Sequence, residues 1–182
     1  MAKLISKTYG GALYELAVEE NKVDSFMEEI QALQQILAEN KELQSLMNHP
    51  KIIKEEKLQV IRNIFEGRMD KELLGFLSLI ITKDRYDEID NILQYFIDEV
   101  KELKGIGVAY VTTAEALREE QKEQIVAKLL GTTKYEQMEM HYAQDKSLIG
   151  GMVIRIGDRI VDSSIKTKLE DLQKQLMKIQ LA

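Results

Sequence analysis

From Ile5 to Leu103 apolar residues recur at intervals of three and four, the spacing of one face of an α-helix. Ile5, Tyr9, Ala12, Leu13, Leu16 and Ala17 predict a first helix beginning near Leu4. Val23, Phe26, Met27, Ile30, Leu33 and Leu37 predict a second, bracketed by Asn21 and Asn40. A short third helix, with Leu43, Leu46 and Met47, ends at Asn48-His49-Pro50, because the residue before proline is pushed out of helical space. Lys54 to Phe65 reads as a fourth with Leu58, Ile61 and Phe65 inward, closed by Gly67. Asp70 to Lys83 and Asp87 to Leu103 complete the series.

Two of these helices are unusual. Gly10-Gly11 sits in the middle of the first, where each glycine weakens a helix by roughly 1 kcal/mol. Close approach of another backbone, from inside the domain or from a partner, would offset that loss. The fifth carries Leu73, Leu74, Phe76, Leu77, Leu79, Ile80 and Ile81 around nearly its whole circumference. Such a helix is central to its bundle or presents a docking face to a partner.

After Lys104-Gly105-Ile106-Gly107 the pattern changes. Val108-Ala109-Tyr110-Val111-Thr112 has strand character, and Met138, Met140 and Tyr142 alternate as a half-buried strand does. Between them Leu117, Gln121, Ile125 and Leu129 predict a helix ending at Gly131. The spacing of Thr112 and Glu115 suggests a capping box at its start. Met152 to Ile156 and Arg159 to Val161 read as a hairpin turned at Gly157-Asp158. Asp162, Ser163 and Ser164 offer N-cap oxygens for a last helix with Ile165, Leu169, Leu172, Leu176 and Ile179 on one face. The fold class expected is therefore α+β. Residues 1–104 form a six-helix antiparallel bundle, and residues 105–182 a small mixed-sheet α/β domain in the order β-α-β-β-β-α.

Composition narrows the functional classes. The chain has 182 residues, no cysteine, one proline and a formal charge of −6. Met1 to Gly105 carries 14 basic and 20 acidic residues, so the surplus negative charge lies in the first part. That distribution opposes nucleic-acid binding, which wants a basic face. No run is long and apolar enough to span a membrane, and the N-terminal residues lack a signal core.

Catalytic constellations are missing from the sequence. His49 and His141 fall in different expected domains, one in a loop and one on a strand, with no second ligand at metal spacing. Glu19-Glu20, Glu28-Glu29 and Glu55-Glu56 are adjacent on helices and point about 100° apart. Ser163-Ser164 has no placed base and is better explained by capping. Gly150-Gly151 precedes a strand and has no Lys-Ser/Thr after it, so it is no phosphate loop. No catalytic residue, metal or cofactor is expected. The apolar end of the last helix, with Leu176, Ile179 and Leu181, suggests a helical partner, since unpacked terminal turns fray.

The run from Leu148 through Ile165, LIGGMVIRIGDRIVDSSI, followed by Lys168-Leu169, resembles the C-terminal motif of the delta subunit of bacterial F-type ATP synthase, counterpart of the mitochondrial oligomycin sensitivity-conferring protein. Tyr9, Ala12 and Leu16-Ala17 resemble that family's first helix, and the similarity extends along essentially the whole chain. Gly10-Gly11 departs from the usual bacterial pattern of alanine or lysine. The resemblance implies a non-catalytic stator subunit that ties the catalytic head to the peripheral stalk, so that proton-driven rotation is coupled to ATP synthesis. It implies that a groove between the first and fifth helices grips the N-terminal helix of an alpha subunit. Helical position makes Tyr9, Ala12, Phe76 and Leu79 the expected groove members. It also implies that the C-terminal domain holds the C-terminal ends of the b subunits, with Leu176, Ile179 and Leu181 as the expected contacts. The location expected is the cytoplasmic face of a bacterial cell membrane, peripheral and reached only through the complex. The competing readings are a generic adaptor for amphipathic helices, which would have no reason to carry the glycine hairpin, and a small enzyme, which would need converging polar groups.

Overall fold

The computed structural model describes the backbone of residues 2–180 and the side chains of 3–177. The chain divides into two units, Met1–Lys101 and Glu102–Ala182, just ahead of the glycine joint. The first is helical. Its elements are α1 (Ala2–Glu19), α2 (Val23–Glu39), α3 (Lys41–Met47), α4 (Lys54–Phe65), α5 (Lys71–Thr82) and α6 (Ile89–Leu103), whose last two residues belong to the second unit. A single 3₁₀ turn, Tyr86–Glu88, leads into α6 where the sequence suggested continuous helix.

One apolar cluster holds this unit together. Leu13, Phe26, Ile30, Leu37, Ile61, Leu77, Ile80, Ile92, Leu93, Phe96 and Val100 are buried within it. The glycine pair of α1 is explained by that packing. A Cβ built on Gly10 would stand 2.8 Å from the Ile92 carbonyl oxygen and 2.8 Å from Cδ1 of Tyr95, both on α6. The close approach comes from inside the unit, and glycine is what lets α1 lie against α6.

Helix α5 begins with a working cap: Asp70 Oδ1 accepts a hydrogen bond from the Glu72 amide at 3.0 Å. The Asp70 amide in turn donates to Glu29 of α2 at 2.8 Å. Lys22, between α1 and α2, pairs with Asp70 at 3.0 Å and Glu72 at 3.3 Å. Hydrogen bonding from Glu72, together with the Lys22 ammonium, holds the Asp70 carboxyl below its usual value. The apolar circumference of α5 is not fully enclosed. Leu73, Phe76, Leu77, Ile80 and Ile81 are buried, while Lys71, Gly75, Leu79 and Thr82 face solvent.

The second unit is a four-stranded mixed sheet with two helices. Strands β1 (Ile106–Thr113), β2 (Gln137–Gln144), β3 (Met152–Ile156) and β4 (Arg159–Asp162) lie in the order β2-β1-β3-β4. β1 and β2 are parallel and joined through α7 (Glu119–Thr132), whereas β1–β3 and β3–β4 are antiparallel. β1 alternates as a one-sided strand should, with Ala109, Val111 and Thr113 buried and Tyr110 exposed.

Thr112 lies inside this strand and cannot cap α7. The helix starts later, with the Gln121 side chain accepting from the Arg118 amide at 3.0 Å. α7 also runs through Gly131 to Thr132. Gly151 enters β3 at φ +77°, where a Cβ would strike the Ser163 carbonyl. The last helix, α8 (Ile165–Gln180), is capped by Ser164, whose Oγ accepts from the Thr167 amide at 3.2 Å. Asp162 accepts from the Ser164 amide at 2.8 Å.

Two stability outcomes follow from this packing. Gly10→Ala should lower the unfolding free energy by about 1–3 kcal/mol through overpacking. Gly75→Ala, at a helical position with nothing within 4 Å, should raise it by roughly 0.5–1 kcal/mol. Urea unfolding followed by circular dichroism distinguishes the two.

Tyr86 is buried at 6% exposure, and its hydroxyl has no hydrogen-bond partner among the described residues. Burial, with the nearby Asp90 charge, pushes the phenol up to about 12. Tyr86→Phe removes the desolvated hydroxyl and should gain about 1 kcal/mol in the same measurement.

Because folding depresses the Asp70 carboxyl from 3.8, its contribution is complete above that value and is lost as pH falls through the lower folded value. Asp70→Asn keeps a capping oxygen but loses the charge. Its melting temperature should therefore fall less than that of the native chain between roughly pH 5 and pH 2.

Candidate docking surfaces

On the helical unit, the four residues singled out by sequence divide into two kinds. Phe76 is 9% exposed and belongs to the core, and Tyr9 is half-buried and packs against that same cluster. Ala12 is exposed on α1, and Leu79 is 44% exposed on α5. The surface a partner can reach on α5 is therefore Gly75, Leu79 and Thr82, with Leu74 and Ser78 at the flank. Phe76 lies beneath it. On α1 the exposed arc includes Leu4, Ala12 and Val18, with Gly11 half-buried.

Sequence reasoning did not anticipate the flank of α5 that faces α4. Arg62, Glu66, Gly67, Arg68, Met69 and Lys71 join Leu74, Gly75 and Ser78 around a cleft of about 590 Å³. The available signal was Gly75 itself, a helix-interior glycine with no packing contact.

On the second unit, α8 exposes its apolar stripe. Ile165, Leu169, Leu172 and Leu176 are 42%, 52%, 54% and 63% exposed. Of the three residues expected from sequence, Leu176 is placed on this stripe. Leu181 lies outside the described residues, as does the side chain of Ile179. The same unit carries a surface the sequence reading missed, a cleft of about 1170 Å³ between α7 and the β3–β4 hairpin. Ile125 and Leu129 of α7 form one wall; Met152, Ile154, Ile156 and Val161 form the other. No residue of α7 is fully buried, so the helix covers its sheet loosely. Consecutive apolar residues Ile160 and Val161, 64% and 62% exposed, were the sequence signal, since neighbours on a strand point to opposite faces.

The other face of the sheet carries a polar ladder. Tyr110 stacks on His141 with ring centroids 4.8 Å apart, and the Arg155 guanidinium lies 4.5 Å from the Tyr110 ring centroid. Glu139 meets His141 Nε2 at 2.9 Å. His49 accepts from the Lys51 amide at 3.2 Å in its loop. Among the described residues no group of three His, Cys, Asp or Glu side chains could hold a metal ion, and no helix is long and apolar enough to cross a membrane.

Residues 5–176 match the family model described as ATP synthase delta (OSCP) subunit. The chain is 56% identical over 181 residues to the ATP synthase subunit delta of Lachnoclostridium phytofermentans, covering 100% of both chains. It is 35% identical to that of Clostridium beijerinckii, covering 98% of this chain and 99% of the relative. In fold it resembles a chain of the cryo-EM structure of the Toxoplasma gondii mitochondrial ATP synthase hexamer. The TM-score is 0.76 at 21% identity, covering 94% of this chain and 97% of that one. On the match of residues 5–176 to the family model and the near end-to-end match to these bacterial relatives, the chain belongs to the ATP synthase delta (OSCP) subunit family.

Proposed function

We propose that the chain acts as the stator connector of an F-type ATP synthase, a structural subunit that fixes the catalytic head to the peripheral stalk. Proton-driven rotation then does work on the head instead of carrying it round. In this reading the helical unit grips the N-terminal helix of an alpha subunit over α1 and α5. Ala12 and Leu79 make direct contact, while Tyr9 and Phe76 form the floor. The second unit holds the C-terminal ends of the b subunits along α8, through Leu176 and, further on, Ile179 and Leu181. The α7–hairpin cleft offers a second apolar wall for the same helices. Its place is the cytoplasmic face of the bacterial membrane, attached only through the complex.

The observation that carries this reading is the apolar surface left open on the second unit of a chain whose family is a stalk subunit. Four aliphatic side chains of α8 stand about half exposed. Enclosing what remains of each contributes on the order of 1 kcal/mol before ordering costs. An amphipathic helix is the partner that fits a stripe at i, i+4, i+7 and i+11. The same surfaces would suit a general helix-binding adaptor, but the family match favours the stator.

Leu79→Asp should weaken binding to a catalytic head stripped of this subunit by at least about tenfold, because it buries a charge against apolar groups. Stalk binding should be retained. The pair Leu172→Asp and Leu176→Asp should do the reverse, loosening a b-subunit fragment while the head still binds. Titration calorimetry on each partner reads both losses, and circular dichroism checks that the fold persists. A head affinity unmoved by Leu79→Asp would overturn the groove assignment.

A further inference from the structure

The cleft between the end of α4 and the start of α5 carries three cations, Arg62, Arg68 and Lys71, against one acid, Glu66. All four residues are exposed. None of the three cations has an ion-pair partner among the described residues, whereas nearby Lys22 and Lys54 are paired with Asp70, Glu72 and Asp84. A gathering of unpaired positive charge stands out in a segment where acids outnumber bases by 20 to 14 through Gly105.

This basic cleft is continuous with the uncovered face of α5. Leu74, Gly75 and Ser78 line it, and Leu79 stands one position further along the helix. Gly75 has nothing within 4 Å of where a Cβ would stand, so the α5 backbone is bare at that point. Among the described residues nothing occupies the space beside the helix-weakening glycine there. A second backbone crossing close over it would use the space.

We propose that the Arg62–Arg68–Lys71 cleft receives carboxylates on the polar flank of the amphipathic helix that docks across Gly75 and Leu79. The cations thereby fix which way that helix runs along α5. The proposal rests on the head-helix reading and adds to it a demand on the occupant: an acidic flank placed at the Lys71 end. Leu79 and the small surface at Gly75 supply apolar contact in either direction. The charges make one direction favourable, since the reversed helix would carry its carboxylates away from the cations.

The test uses the full chain and a catalytic head stripped of this subunit, titrated at low and at high ionic strength. The triple variant Arg62→Gln, Arg68→Gln, Lys71→Gln should bind roughly tenfold more weakly at low salt, mainly through a slower association rate. The difference from the native chain should shrink at high salt. Leu79→Asp should weaken binding at both. Should the triple variant melt early, Arg68→Gln alone, which lies between the two helices, should give a smaller loss with the same salt dependence.

A triple variant that matches the native chain at both salt concentrations, while Leu79→Asp still weakens binding, would overturn the cleft proposal and leave the groove reading standing. Loss of effect in both variants would overturn the two together.

Discussion

Small domains enclose a smaller share of their apolar surface than large ones, and both units of this chain show the consequence. The helical unit closes most of its surplus by packing α1 against α6 through Gly10, which brings the two backbones near enough for Leu13 and Ala17 to reach the shared core. What it leaves open among the described residues includes Leu79 on α5, Leu4 and Val18 on α1, Ile36 on α2 and Ile53 just ahead of α4. The second unit closes far less. Ala109, Val111 and Leu148 are its buried apolar residues among those described, and α7 lies over the sheet without a single fully buried side chain. Exposed aliphatic surface of this extent on α8 and the β3–β4 hairpin costs solubility and stability in the free chain. It persists where a partner supplies the missing layer.

Much of this was legible in the sequence because it depends on local periodicity and backbone chemistry. The helical spacing of Val23 to Leu37 fixes α2 and its inward face, and Phe26, Ile30, Leu33 and Leu37 are the residues buried there. Gly157-Asp158 turns the hairpin, and Ser164 caps α8. These signals act over a few residues, so no knowledge of tertiary neighbours was needed. The α+β class and the family resemblance rest on the same local features.

Other features were illegible for a physical reason. The apolar circumference of α5 says that several faces can be buried, but not which face its neighbours leave open. Phe76 and Leu79 look alike in sequence, yet one is 9% and the other 44% exposed. The capping-box spacing at Thr112 competed with strand pairing, and the ladder to Val153 and Ala143 won. The α7–hairpin cleft joins segments far apart in sequence. The cationic cleft needs Arg62 from the end of α4 beside Lys71 from the start of α5. Neither exists until the helices pack.

Under the stator reading, attachment has to resist a sustained torque, which sets a demand on dissociation more than on encounter. Apolar burial meets that demand, because separating the surfaces re-exposes all of the buried area at once and slows the off-rate. Cations at a rim act differently: they speed approach and select orientation, and their influence fades within a Debye length of about 10 Å at 0.1 M salt. An acidic helical unit would otherwise repel an acidic partner segment along its whole surface. Gathering Arg62, Arg68 and Lys71 at one end of α5 turns that repulsion into a directional preference, while Leu79 and its neighbours retain the grip.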